Sequence, residues 1–323
     1  MFYRKHRFPD AIRQQAKPFH RLNNWRGLLA VLEDYGVIVL SALAVRQWVY
    51  LYPLAILIIG ARQRALAALL HDGVHLLLAR NRRMNRFLTR WPAGFAIFQS
   101  VEYYRNLHVP QHHAHLADPE RDPDYIGFIE GGLTCVTDRR DFLRNHLFKT
   151  LFLGKAVDNV REIVSGRLAF MAKEPLELAK LAIAQLVIAL FFGALAGPAG
   201  YLWFWIVPFL TVSHVLAWFL EISEHYRLFE AGRSELEITR NRFPLWWERF
   251  FFGLHGETYH LTHHLFPGVP FWNLKALHHV LLQDDAYRAA NETRGGLLSA
   301  PRGRRTVLRE ILEDIDRTNR SVR

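Results

Sequence analysis

Cysteine is almost missing from this chain of 323 residues, with Cys135 standing alone. One thiol cannot build a disulfide framework, and it cannot assemble the thiolate cage of a zinc ribbon or an iron–sulfur cluster. A reducing, cytoplasm-facing setting follows. The opening segment MFYRKHRFPDAIRQQAKPFHRLNNWRG is basic and lacks the continuous apolar core of a signal peptide, so it reads as mature protein. No internal repeat or low-complexity tract occurs. The formal charge is +11, yet the basic residues are spread over loops and termini without a nucleic-acid-binding motif. That excludes nucleic acid as a partner and leaves a membrane surface or an acidic protein.

Long apolar runs are what the chain has: Leu28 to Val45, Trp48 to Ala61, Leu176 to Ala196 and Tyr201 to Ile222. They pair into two hairpins. A helix needs roughly 20 apolar residues to cross a bilayer, which the second pair supplies. The first pair is shorter and carries Glu33 and Asp34, so a buried hairpin of a soluble protein is its alternative reading. The turn GALAGPAG of the second hairpin holds no charge, whereas the N-terminal arm, the stretch from Arg62 to Lys173 and the tail after Tyr226 are rich in Lys and Arg. By the positive-inside rule those three regions and both termini face the cytoplasm. The expectation is an all-α integral membrane protein with about four transmembrane helices in two hairpins and a cytoplasmic helical cap. Its parts are a basic arm over 1–27, a membrane domain over 28–282 and a cytoplasmic tail over 283–323. In that tail Val307, Leu308, Ile311, Leu312 and Ile315 share one helical face.

Histidine is concentrated in three boxes. HDGVH supplies His71 and His75, following ARQRALAALL, which continues the second apolar helix. HVPQHHAH supplies His108, His112 and His113, with Pro110 making the segment irregular. ETYHLTHHLFPGVP supplies His260, His263 and His264. Spacings of three and four align rings on one helix face, so each box can turn its imidazoles toward a common point. EISEHY adds His225 at the cytoplasmic end of the last helix, where Glu221, Glu224 and His225 are costly beside lipid without a polar partner. Imidazole-rich sites suit zinc, copper, iron or nickel. Nine imidazoles exceed the shell of one ion, so two ions are implied. Asp72, Asp118, Asp122, Asp124, Glu224 and Glu257 lie beside the boxes and are candidates, with Glu221, to accept the second N–H of a metal-bound ring. Solvated or capping roles are the alternative for each.

HDGVH, YRNLHVPQHHAH with its DPD, SEHY, and YHLTHHLFPGVP followed by LKALHHVLL resemble the membrane fatty acid desaturase superfamily, nearest in motif style to acyl-lipid and sphingolipid-type desaturases. The likeness spans about Leu28 to Leu282. It departs from part of that family in the HxxxHH spacing of box two, in His260 opening box three, and in lacking a fused cytochrome b5 motif. The resemblance implies two iron ions held by His71, His75, His108, His112, His113, His225, His260, His263 and His264, with oxygen as co-substrate. It implies insertion of a double bond into a fatty acyl chain, with an active site facing the cytoplasm in an inner or plasma membrane. A hydroxylase or ketolase of a lipid, alkane or carotenoid would use the same histidines. A metal transporter would need ligands near the bilayer midplane, whereas these boxes lie beyond the apolar runs. No haem, flavin or iron–sulfur module is fused here, so a separate donor such as a ferredoxin or cytochrome b5-like protein is implied. Arg80, Arg82, Arg83 and Arg86 would attract it, while Arg62 and Arg64 are expected at lipid headgroups.

Overall fold

The structure is a computed structural model that describes residues 3–231 and 233–322. It is built from helices, and among the described residues extended pairing is limited to isolated bridges such as Arg4 with Ser234. Four helices are long and apolar enough to cross a membrane: Arg26–Gln47, Val49–Val74, Pro175–Ala196 and Leu202–Glu230. This is a membrane protein. The chain divides into two compact units, one comprising Leu22–Arg105 and Leu153–Ala217, the other comprising the residues up to Arg21, Asn106–Phe152 and the residues from Trp218 onward.

The first unit holds the first three spans and the start of the fourth. Leucines such as Leu29, Leu32 and Leu40 on the first span, and Leu186 and Leu190 on the third, are exposed. Lipid is the solvent that tolerates such a surface, because burying backbone bonds within each helix leaves only side chains to face it. Inward, the helices meet through small residues. A Cβ at Gly60 of the second span would fall 2.5 Å from the Val212 side chain, and one at Gly200 would fall 2.1 Å from the Phe192 carbonyl. Arg62 is not at a headgroup. It is buried inside the first hairpin, 3.1 Å from both Asp34 and Glu33. Those two acids thus belong to a span because their countercharge sits on the neighbouring helix.

Helix length carries donors out of the hydrocarbon. At 1.5 Å per residue the 26 residues of the second span and the 29 of the fourth reach roughly 39 and 44 Å, against about 30 Å of bilayer core. His71 and His225 both lie toward the C-terminal ends of these helices.

The second unit packs box three on a small core. Phe8, Ile12 and Ala16 of the N-terminal arm bury against Tyr259, Leu261 and the helix Phe271–Leu281. Burying each large side chain there stabilises by about 1.5–3 kcal/mol, so the basic arm is part of the core around box three. The C-terminal helix Val307–Val322 buries Val307, Ile311 and Ile315, the apolar face read from the sequence.

Gly60→Ala should lower the stability of the detergent-solubilised protein by about 1–3 kcal/mol through overpacking. Gly36→Ala, with nothing within 4 Å of the added carbon, should be neutral or stabilising by up to about 1 kcal/mol. Equal melting temperatures for the two variants would show that the second and fourth spans do not meet at Gly60.

Candidate metal centre

Box two begins where Val101–Leu107 passes into a widened helical turn over His108–His113. Pro110 has no N–H to give, and the wider i→i+5 winding accommodates it. Box three is an ordinary helix, His260–Leu265. Its spacing of four brings the His260 and His264 Nε2 atoms to 3.0 Å.

Two sets of rings converge. His112, His225, His260 and His264 place one nitrogen each within 4.8 Å of one another. Their Nε2 atoms are 3.3 Å apart between His112 and His264, and 2.9 Å apart between His260 and His225. His108, His113 and His263 converge separately, at 2.9 Å between His113 and His108 and 3.2 Å between His263 and His113. Boxes two and three therefore do not aim at one point each, as their spacing suggested. Successive residues on a helix point roughly 100° apart, so each HH pair is divided, with His112 and His264 in the first set and His113 and His263 in the second.

Hydrogen-bond accounting leaves room for a cation in the first set. A carbonyl can only accept, so His225 Nδ1 carries the proton it donates to Ile238 O at 3.2 Å. His112 Nδ1 likewise donates to Asp122 Oδ1 at 2.8 Å. In a neutral ring the Nε2 of each is then a lone pair, and it faces His264 or His260, which can donate an N–H to it or share a cation with it. Four nitrogens each about 2.1 Å from one ion would stand roughly 2.9–3.4 Å apart, as three of the pairs do. The donor set fits a first-row transition metal. Burial disfavours charge on His112, but the Asp124 and Asp122 carboxylates outweigh it and lift its pKa to about 9, so the metal-free ring holds a second proton that an ion at Nε2 would displace. Burial and the imidazoles of His113, His260, His112 and His225 push His264 well below the usual histidine range.

Box one stands on the second span. His71 and His75 have ring centroids 5.2 Å apart, and His71 Nδ1 is 3.4 Å from the buried carboxylate of Asp72.

The carboxylates divide by role. Asp122 is fully buried and also accepts from Ala117 N and Asp124 N, so one side chain orients His112 and starts the next helix. Asp124 lies 3.3 Å from the same ring nitrogen. Asp118 instead accepts from Glu120 N and shapes a turn. Glu221 is half-buried beside Gly127. Glu224 binds Arg242 at 2.8 Å and lies 3.6 Å from His260 Nε2. Glu257 contributes its backbone carbonyl to Arg242.

Several supporting residues escaped sequence reasoning. Ile238 acts through its backbone, Arg242 is buried, and a polar network runs under box three: Tyr287 Oη meets Thr262 Oγ1 at 2.6 Å and His278 Nδ1 at 2.8 Å, while Asn241 donates to both Tyr287 and Thr262. Burial, with help from His279 and Arg304, pushes His278 down to about 4, consistent with a neutral ring in that network.

Fold and site define a membrane protein with a histidine-lined lobe able to hold transition-metal ions. Comparison with known proteins sharpens the class. A family model described as fatty acid desaturase matches residues 46–294, which include all three boxes. A dihydrorhizobitoxine desaturase from Bradyrhizobium elkanii is 35% identical over 304 residues, covering 91% of this chain and 86% of that protein. The chain belongs to the fatty acid desaturase family, and is an oxidoreductase of desaturase type.

Asp122→Ala should destabilise the protein by about 1–3 kcal/mol, because buried N–H groups lose their acceptor. Asp118→Ala should stay within about 0.5 kcal/mol, the range of an ordinary surface change. Thermal unfolding in detergent compares them, and equal effects would refute the division of roles.

Proposed function

We propose that the protein is an oxygen-dependent di-iron desaturase that introduces a double bond into a fatty acyl chain. The observation that carries this reading is the convergence of imidazole nitrogens into two sets, in a chain whose family is that of the fatty acid desaturases. One ion would be held by His112, His225, His260 and His264. His108, His113 and His263 would serve the other, and the motif order of the family assigns His71 and His75 to complete the nine. Iron supplies the oxidising power needed to remove hydrogen from an unactivated methylene, for which no side-chain base is strong enough.

The protein's own work is orientation. Asp122 and the Ile238 carbonyl fix the tautomers of His112 and His225, so that their Nε2 lone pairs point inward. Removing two hydrogens from the chain and reducing oxygen fully to water requires two further electrons. A separate donor, a ferredoxin or cytochrome b5-like protein, would bring them. Arg80, Arg82, Arg83 and Arg86 are exposed and suit an acidic donor; Arg62, engaged with Asp34, is no part of that surface. The site would face the cytoplasm from an inner or plasma membrane, the side to which the loop charges assign it.

The name of the relative from Bradyrhizobium elkanii provides a second candidate substrate, dihydrorhizobitoxine. Hydroxylation would share the same histidines.

The purified protein should carry about two irons per chain, following the ligand preference of an all-imidazole site, and His263→Ala should lose iron with its fold retained. Supplied with reductant, donor and oxygen, it should place a new double bond in acyl lipids. A new hydroxyl would assign the hydroxylase reading, and a double bond formed only in dihydrorhizobitoxine would move the substrate to that of the relative. Iron-free protein that still turns over would end the di-iron reading.

Orientation is tested separately. A cysteine placed in the GALAGPAG turn of a Cys135→Ser background should react with an impermeant thiol reagent added outside intact cells. Labelling only after the cytoplasm is opened would reverse the topology.

A further inference from the structure

Arg242 lies between the helix end that carries His225 and the turn that leads into box three, and its side chain is 1% exposed. A guanidinium this deep must have every nearby partner arranged for it. Its Nη2 donates to Glu224 Oε1 at 2.8 Å and to the Glu257 carbonyl at 3.0 Å, and its Nη1 donates to the Phe252 carbonyl at 2.9 Å. Its own backbone N–H donates to Thr258 O at 2.7 Å. Glu224 immediately precedes His225, while Glu257 and Thr258 are three and two residues before His260. One side chain thus joins two places that each sit beside a ring of the first histidine set.

The rest of the segment follows the same course. His225 Nδ1 donates to Ile238 O, Thr239 Oγ1 donates to Glu224 O, and Arg240 Nη2 donates to Tyr226 O at 2.7 Å. The strand of chain from Ile238 to Arg242 therefore runs back along residues 224–226, and Arg242 is where it crosses to box three. The charge matters as well as the geometry. The Glu224 carboxylate is held through Oε1 by Arg242, and its other oxygen is 3.6 Å from His260 Nε2.

We propose that Arg242 is a positioning residue of the metal centre: by tying Glu224 to the Phe252 and Glu257 carbonyls, it sets the spacing between His225 and His260. The proposal rests on the metal-binding reading of the four-histidine set. It adds a residue that contacts no ion and that none of the histidine boxes contains. Arg242→Lys keeps the charge but not the planar fork, so it preserves at most part of the tether.

The test uses the full-length, metal-free protein in detergent, titrated with Co(II) and followed by its visible ligand-field absorption and by metal content per folded chain. Wild type should bind two ions; a wild type that binds none would remove the metal-centre reading itself, before the tether is tested. Arg242→Met should bind one ion as wild type does and the other about 10–100-fold more weakly, the usual effect of removing a residue that supports a ligand. The weakened ion should also show an altered spectrum. Glu224→Gln should weaken the same ion, Arg242→Lys should lie between Arg242→Met and wild type, and the double variant Arg242→Met with Glu224→Gln should be no worse than the poorer single one, since the two changes break one link. Should Arg242→Met fail to fold, the Arg242→Lys and Glu224→Gln pair and their combination carry the same comparison. Two ions bound with wild-type affinity and spectrum in a folded Arg242 variant, or effects that add in the double variant, would overturn the proposal.

Discussion

Imidazole nitrogens held about 3 Å apart are the constraint that the rest of the site serves. In the unit that holds boxes two and three, seven histidines bring ring nitrogens together, and two of those rings have already spent their proton on Asp122 and on the Ile238 carbonyl. A buried acceptor without a donor costs about 1–3 kcal/mol, so each inward nitrogen needs a neighbouring N–H or a cation. A cation would serve several of them at once. Either way the rings must be held in place, and the packing of the N-terminal arm, the Arg242 tether and the network around Tyr287 are that support.

Backbone conformation at the boxes carries the same signature. Leu76, Ala117, Arg227 and His255 all have positive φ, from 48° to 66°. Leu76 directly follows His75, Arg227 comes two residues after His225, Ala117 closes box two, and His255 opens the turn into box three. A left-handed residue with a side chain costs roughly 1–2 kcal/mol, and strain of this kind collects where function demands a shape. Here each such residue bends the chain sharply beside a donor. After Ala117 the chain turns so that Asp122 returns to His112, and after Arg227 it returns so that Ile238 reaches His225.

The parts legible in the sequence were those written as local pattern. Apolar length marked four spans, spacing marked three boxes, and the periodicity of Val307, Ile311 and Ile315 marked the face of the last helix. Asp122 and Asp124 were legible because they sit near box two in sequence, and both reach His112. Asp118 looked the same and serves only a turn, since proximity in sequence does not fix direction. Arg242 was hidden because its partners lie 10 to 18 residues away and two are backbone carbonyls, which any residue type supplies. Arg62 misled for the opposite reason. A basic residue near the end of an apolar run suggests a headgroup, and only the neighbouring helix reveals Asp34 as its partner.

Within one set, the two rings whose outer partners are clearest do not have equal ones. His112 gives its Nδ1 proton to a carboxylate that two backbone N–H groups also fix in place, whereas His225 gives its proton to a neutral carbonyl. A carboxylate makes the distal nitrogen a stronger electron donor and a carbonyl makes it a weaker one, because the hydrogen bond to an anion draws the proton further from the ring. Donor strength toward an ion would therefore differ between these two rings, with His112 the anchor and His225 the more adjustable member. A weaker donor depends more on being held at the right distance. The buried tether through Glu224 and Arg242 stands beside His225, whose own hydrogen bond does less than that of His112 to fix its strength as a ligand.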